Sequence, residues 1–223
     1  MKHSEILIDA NGHAISPDEI SKRINAFGDS YNNAVKEIID NSKELDYKGK
    51  VFIKCASRIL TNFGMTRAGP FHKNRDETLR DCWETVGDDL IEINKSVLNS
   101  SLLRERYILE LNEREREELI AKVWRITKKL LPFTMGKYSY GLVGASKILF
   151  SVLPEIVLPI DNTQWLQIFK TVDLGDALHF MVLDIQKWES ETGRQFNDLD
   201  HSKRLTTLPS VYNVMAMDAR PKD

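Results

Sequence analysis

Apolar residues recur at helical spacing along most of this chain. Between residues 114 and 131, Leu119, Val123, Ile126 and Leu130 fall three or four apart, and Ile120, Trp124 and Leu131 widen the same face. Lys128 and Lys129 stand in its last turn, where cations meet the negative end of the helix dipole, and Pro132 is expected to end it. Comparable patterning predicts helices at about 17–27, 29–45, 49–62, 76–98, 102–111, 143–153, 162–171, 174–191 and 208–219. The first has an explicit start: Ser16 as N-cap, Pro17 in the first turn, then Asp18 and Glu19 toward the positive dipole end.

Residues 5–15 break the pattern. Glu5–Asp9 can form a strand, Asn11-Gly12 is a strong tight-turn pair, and His13–Ile15 can return, so a small β-hairpin packed on the helices is expected. Two loops are rich in breakers. One, 63–74, holds Gly64, Gly69 and Pro70 with Arg67, His72, Lys73 and Arg75 around them; the other runs from Gly136 to Gly141. No internal repeat and no linker interrupts the chain. The expected fold is all-α: one mostly helical domain over 1–223, with two intimate lobes at 16–115 and 116–223.

With 223 residues, 42% hydrophobic and 29% charged, the chain can bury a sizeable core without staples. No apolar run is long enough for a bilayer, and the start, Met1 to Glu5, leads into a short apolar run broken by Asp9, so neither a membrane partner nor a signal peptide is expected. Cys55 and Cys82, without Cys-x-x-Cys spacing, point to a reducing, cytoplasmic setting. His3, His13, His72, His179 and His201 make no metal-ligand pair, so neither metal nor cofactor is expected. Asp88, Asp89, Glu92 and Lys95 hold the acid-then-lysine order of a metal-dependent nuclease, but on a helical pattern where those enzymes use strands.

The net charge of −2 hides an uneven layout. From Leu119 to Pro154 there is no acid, while Lys122, Arg125, Lys128, Lys129, Lys137 and Lys147 give +6. Residues 50–83 carry +4 and residues 155–200 carry −6. A basic stripe on a near-neutral protein can steer a polyanion; it can equally be a set of solvated helix faces.

Inside the acid-free stretch lies Gly141-Leu142-Val143-Gly144, a glycine turn that opens a helix. Glycines allow close backbone approach, and a helix start offers unpaired amides, so the turn can grip phosphate or simply pack against a neighbour. Gly141, Val143, Gly144 and Ser146, flanked by Lys137 and Lys147, are the candidates for backbone contact. After the helix comes an apolar bend with two prolines, then Pro159-Ile160-Asp161 and a further helix. Asp161 is a natural N-cap there, and a capping carboxylate at a cleft can also activate water or stabilise positive charge on a sugar.

Glycine turn, helix, apolar bend, Pro-x-Asp and helix, over about 130–169, is similar to the core of the helix-hairpin-helix DNA glycosylases. The resemblance implies a two-lobed helical fold with a helix-hairpin-helix element, DNA held by the hairpin, and a monomer that needs no cofactor. It implies that a base flipped from the duplex is released by cleavage of its N-glycosidic bond, with Asp161 stabilising the oxocarbenium-like sugar or orienting water. Damaged bases, or a hypermodified base of phage DNA, are the substrates it suggests, in repair or in phage defence. The spacing departs from the family: Gly141 and Gly144 stand where Gly-x-Gly is usual, and Lys147 precedes Asp161 by 14 residues, about a helical turn closer than in typical members. Lys147 resembles the lysine with which bifunctional members cut the strand; phosphate contact and exposure to solvent are open to it as well. A monofunctional enzyme resting on Asp161 is the expectation. Tyr138, Tyr140 and Trp165 are candidates for the base pocket, and Arg67, His72 and Lys73 for strand contact from the other lobe. The alternative is a non-catalytic helical module that binds DNA or another partner through the same turn.

Overall fold

The computed structural model describes residues 5–27, 29–42, 45–136, 141–162, 164–200 and 207–219. Its described elements are α1 (Pro17–Ala26), α2 (Asp29–Ser42), α3 (Lys50–Asn62), α4 (Arg75–Asn99), α5 (Tyr107–Glu110), α6 (Glu113–Thr134), α7 (Leu142–Phe150), α8 (Leu174–Thr192) and α9 (Leu208–Asp218). Short 3-10 turns occupy Arg104–Arg106 and Phe196–Leu199, and a π turn occupies Gln164–Phe169. The fold is all-α, and among the described residues no helix is long and apolar enough to cross a membrane.

Local chemistry sets the helix ends. The Ser16 hydroxyl accepts the Glu19 amide at 3.3 Å, Asn112 Oδ1 accepts that of Glu115 at 3.0 Å, and Asp173 Oδ1 accepts those of Gly175 and Asp176. Pro132 does not stop α6 as expected; the helix runs on to Thr134. Pro132 takes from the Lys128 carbonyl the one backbone donor it would have received, and the helix continues two residues past it, where the Thr134 hydroxyl donates to the carbonyls of Leu130 and Leu131.

The N-terminal hairpin is a second correction. Among the described residues of this segment a single bridge forms, between Ile8 and Ala14, around Gly12 at φ +85°. Asp9 Oδ1 takes the amides of Asn11 and His13 in the turn, and two backbone bonds join the arms, from the Asp9 amide to the His13 carbonyl and from the Ile15 amide to the Leu7 carbonyl. Ile6 and Leu7 are buried against the helices.

One apolar cluster draws on every helix from α1 to α9. Helices α2, α3 and α4 pack in sequence; α4 packs on α6, α6 on α7 and α8, and α1 on α9. Helix α7 sits between α3 and α6 and is buried at every residue except Val143. The bend after it, 151–160, is buried throughout, which is why its polar residues need internal partners: Arg104 bonds Glu155 there.

Candidate functional site

Both turn glycines are explained by packing. Gly141 has φ +80°, and a Cβ on it would lie 2.7 Å from Thr134 Oγ1 and 3.0 Å from the Met135 amide nitrogen. A Cβ on Gly144 would lie 3.1 Å from Thr134 Cβ and 3.4 Å from the Phe71 ring. Glycine therefore lets α7 press onto the end of α6 and onto the 63–75 loop. The first backbone bond of α7 runs from the Ala145 amide to the Gly141 carbonyl. The amides of Leu142, Val143 and Gly144 precede it and meet no acceptor among the described residues. Lys137, Tyr138 and Tyr140 lie outside the described residues. Ser146 does not fit the expected backbone contact: it is fully buried, and its hydroxyl donates to the Val143 and Ile160 carbonyls, tying α7 to the bend.

Lys147 points inward. It is 4% exposed, and its Nζ lies 4.5 Å from the centre of the Phe63 ring. Burial lowers its pKa to about 8, and the charge of Asp161 opposes that fall. The two residues the sequence singled out for chemistry thus act on one another electrostatically.

Asp161 is half-buried at the head of the π turn. Its Oδ1 accepts the Gln164 amide at 2.9 Å, and its own amide donates to Gln164 Oε1 at 2.8 Å, a reciprocal cap. Gln164 Nε2 donates to Asn213 Oδ1 on α9 at 3.1 Å. The turn closes with the Lys170 amide on the Trp165 carbonyl, leaving Lys170 at φ 52°. Trp165, expected to stack on a base, is instead 3% exposed, and its indole nitrogen finds no acceptor among the described residues.

The loop between α3 and α4 joins the same neighbourhood. Phe63, at the end of α3, covers Lys147, and buried Phe71 packs on Gly144. Between and beyond them Arg67, His72 and Lys73 are exposed, with His72 Nδ1 paired to the Thr66 carbonyl at 3.0 Å. Arg67 and Lys73 take part in no ion pair among the described residues. The structure therefore brings Gly144, Lys147 and the loop together.

The basic stripe on α6 is largely compensated. Lys122 pairs with Glu92 at 2.7 Å and Lys129 with Asp89 at 2.8 Å, both acids on α4, while Lys128 lies over the Trp124 ring. Two grooves, of about 710 and 610 Å³, lie elsewhere. One is walled by Ile6, Asp9, Glu19, Arg23 and Ile168, the other by Ile93, Tyr107, Leu111, Leu119 and Lys122. Neither is lined by Asp161 or Lys147. Among the described residues no group of three His, Cys, Asp or Glu side chains could hold a metal ion.

Sequence reasoning missed Gln164, Asn213, Phe63 and Phe71. The Asp161-x-x-Gln164 spacing is that of a capping box and could have flagged Gln164; nothing local flags Asn213, 49 residues further on. No protein-family model, no curated protein and no solved structure matches this chain.

Proposed function

We propose that the chain is a DNA glycosylase in which Asp161 and Lys147 act together on the sugar of a flipped nucleotide. The observation that carries this reading is the buried Lys147 amine, its pKa lowered to about 8, with Asp161 as the charge that acts on it. A buried lysine of this kind is uncharged in about a tenth of molecules at pH 7, and an uncharged amine is a nucleophile. Lys147 is 4% exposed beneath Phe63, so the reading requires that ring to move aside; attack by Lys147 Nζ at C1′ then forms the N–C1′ bond as the bond to the base breaks. The bonding pair leaves with the base, which takes a proton from water, and Asp161 accepts the proton shed by the new ammonium. The nitrogen lone pair then opens the sugar: the C1′–O4′ bond breaks, O4′ takes the proton held by Asp161, and the C1′=N iminium that borohydride reduces is left. Asp161 also stabilises the positive charge that builds on the sugar before the new bond is complete. The first amides of α7 and the cations Arg67 and Lys73 are suited to the flanking phosphates. This reading moves Lys147 from an open assignment to the attacking group, and so favours a bifunctional enzyme over a monofunctional one. DNA is the partner; a damaged or hypermodified base is the substrate class.

The test uses duplex oligonucleotides carrying uracil, 8-oxoguanine, an alkylated purine or a hypermodified pyrimidine. Wild type is expected to release base from at least one and to be trapped on it by borohydride. Asp161→Asn is expected to bind the same duplex with base release slowed about a hundredfold or more. Absence of base release from every duplex overturns the enzyme reading.

The same geometry favours a second reading through one observation. Asp161 serves as a reciprocal helix cap and the glycines serve packing, which is all that a non-catalytic DNA-binding module requires. Salt-dependent binding without base release would select it.

A further inference from the structure

The Asp161 cap contains more than a cap needs. A carboxylate on a free amide suffices to start a helical turn, and Asp161 provides that alone through Oδ1. Gln164 adds a return bond to the Asp161 amide and a second bond across the core to Asn213. Both carboxamides are enclosed, Gln164 at 0% and Asn213 at 1% exposure, where an apolar side chain would pack without any polar group to satisfy. The π turn that follows Asp161 is six residues long, Gln164–Phe169. Helix α9, by contrast, is buried from Leu208 to Ala216 and is a rigid anchor.

We infer that Gln164, braced by Asn213, is a positioning residue: it transmits the fixed position of α9 to the Asp161 carboxylate and so sets where that charge stands relative to Lys147. The inference rests on the glycosylase reading for its consequence in catalysis, but its geometry does not. The Gln164 backbone amide holds Oδ1 at 2.9 Å and the Gln164 side chain holds the Asp161 backbone amide at 2.8 Å, so Asp161 is tied at its carboxylate and at its main chain to one residue. The carboxyl-terminal helix thereby becomes part of the site although none of its residues reaches the reacting atoms.

Two variants test this. Gln164→Met keeps the volume and removes both side-chain bonds; Asn213→Leu removes only the brace. Thermal melting establishes that each is folded. The Lys147 amine is then titrated by NMR on lysine-labelled protein, with Asp161→Asn as reference. In the reference the amine is expected to titrate below wild type, because the charge that raises it is gone. Gln164→Met keeps the Asp161 charge and its bond from the backbone amide, so it is expected to move part of the way to the reference, and Asn213→Leu less. Single-turnover base release is expected to fall about tenfold to a hundredfold with DNA affinity unchanged. If Lys147 titrates as in wild type in the folded variants, the positioning role is overturned, whatever happens to melting temperature. Should Gln164→Met not fold, Asn213→Leu alone decides by the same titration. If wild type releases no base, the glycosylase reading fails while the titration still decides the positioning role.

Discussion

The acid-free stretch holds two kinds of cation that look alike in sequence. On α6, Lys122 and Lys129 reach across to Glu92 and Asp89 of α4. On α7, Lys147 turns inward against Phe63 and answers electrostatically to Asp161. Exposed pairs of the first kind contribute about 0–1 kcal/mol each. The second kind costs: a fall from an ordinary 10.5 to about 8 corresponds to about 3 kcal/mol held against the charged amine. A run of positive charge is therefore not one feature. Among its described members, Lys122 and Lys129 pair with acids of α4, Lys128 lies over Trp124, and Lys147 turns inward at a cost that calls for a use.

The largest effect expected is at Lys147. Lys147→Met removes the amine and keeps an unbranched apolar stem, so borohydride trapping should vanish while the fold gains stability. The sign follows from the proton balance. Below pH 8 both folded and unfolded chains carry the proton, and the folded chain bears the full burial penalty. Between about 8 and 10.5 the folded chain has shed a proton that the unfolded chain keeps, so wild-type stability rises with pH. The variant's advantage should be greatest near pH 7, at up to about 3 kcal/mol, and gone by about pH 10.5. Urea melts at pH 7 and pH 10 measure it; a variant less stable than wild type at both would show that Lys147 is held by favourable contacts instead.

The turn in front of α7 should give the next effect. Gly141→Ala puts a side chain at φ +80° and presses a methyl to 2.7 Å from Thr134 Oγ1. A loss of about 2–3 kcal/mol is expected from the backbone penalty and the displaced contact together. A melt within experimental error of wild type would mean that α7 is not pressed onto α6 as described.

Much of this architecture was legible. Helix positions follow from apolar spacing, and observed ends fall within three residues of the expected ones for α1, α2, α3, α4, α6, α7, α8 and α9. The misses share one physical origin: the partner is remote in sequence or is a side chain bonded to the backbone. Around Asp9, side-chain bonds to the Asn11 and His13 amides accompany the single bridge, and at the end of α6 the Thr134 hydroxyl adds donors to the carbonyls of Leu130 and Leu131. The segment expected as a helix at 162–171 is wound as a π turn, which no periodicity over six residues reveals. At the site, Asp161 as an N-cap was readable from Pro159 and the helix that follows. The inward turn of Lys147 and of Ser146 was not, because burial depends on α3 and the bend closing over α7.

The smallest effect separates the loop cations from those of α6. Lys73 is exposed beside the loop that packs on Gly144 and has no ion pair among the described residues, whereas Lys129 is bonded to Asp89. Each phosphate neutralised releases counterion and steepens the dependence of log affinity on log salt by about 0.9. Lys73→Glu is therefore expected to weaken duplex binding and to reduce the salt slope by about 1. Lys129→Glu sets an acid beside Asp89 and should cost under about 1 kcal/mol of stability, with the salt slope unchanged. Fluorescence anisotropy across a salt series reads both. A slope that changes equally in the two variants would place DNA along α6 as well as at the α7 turn, and the division between absorbed and available charge would then have to be redrawn.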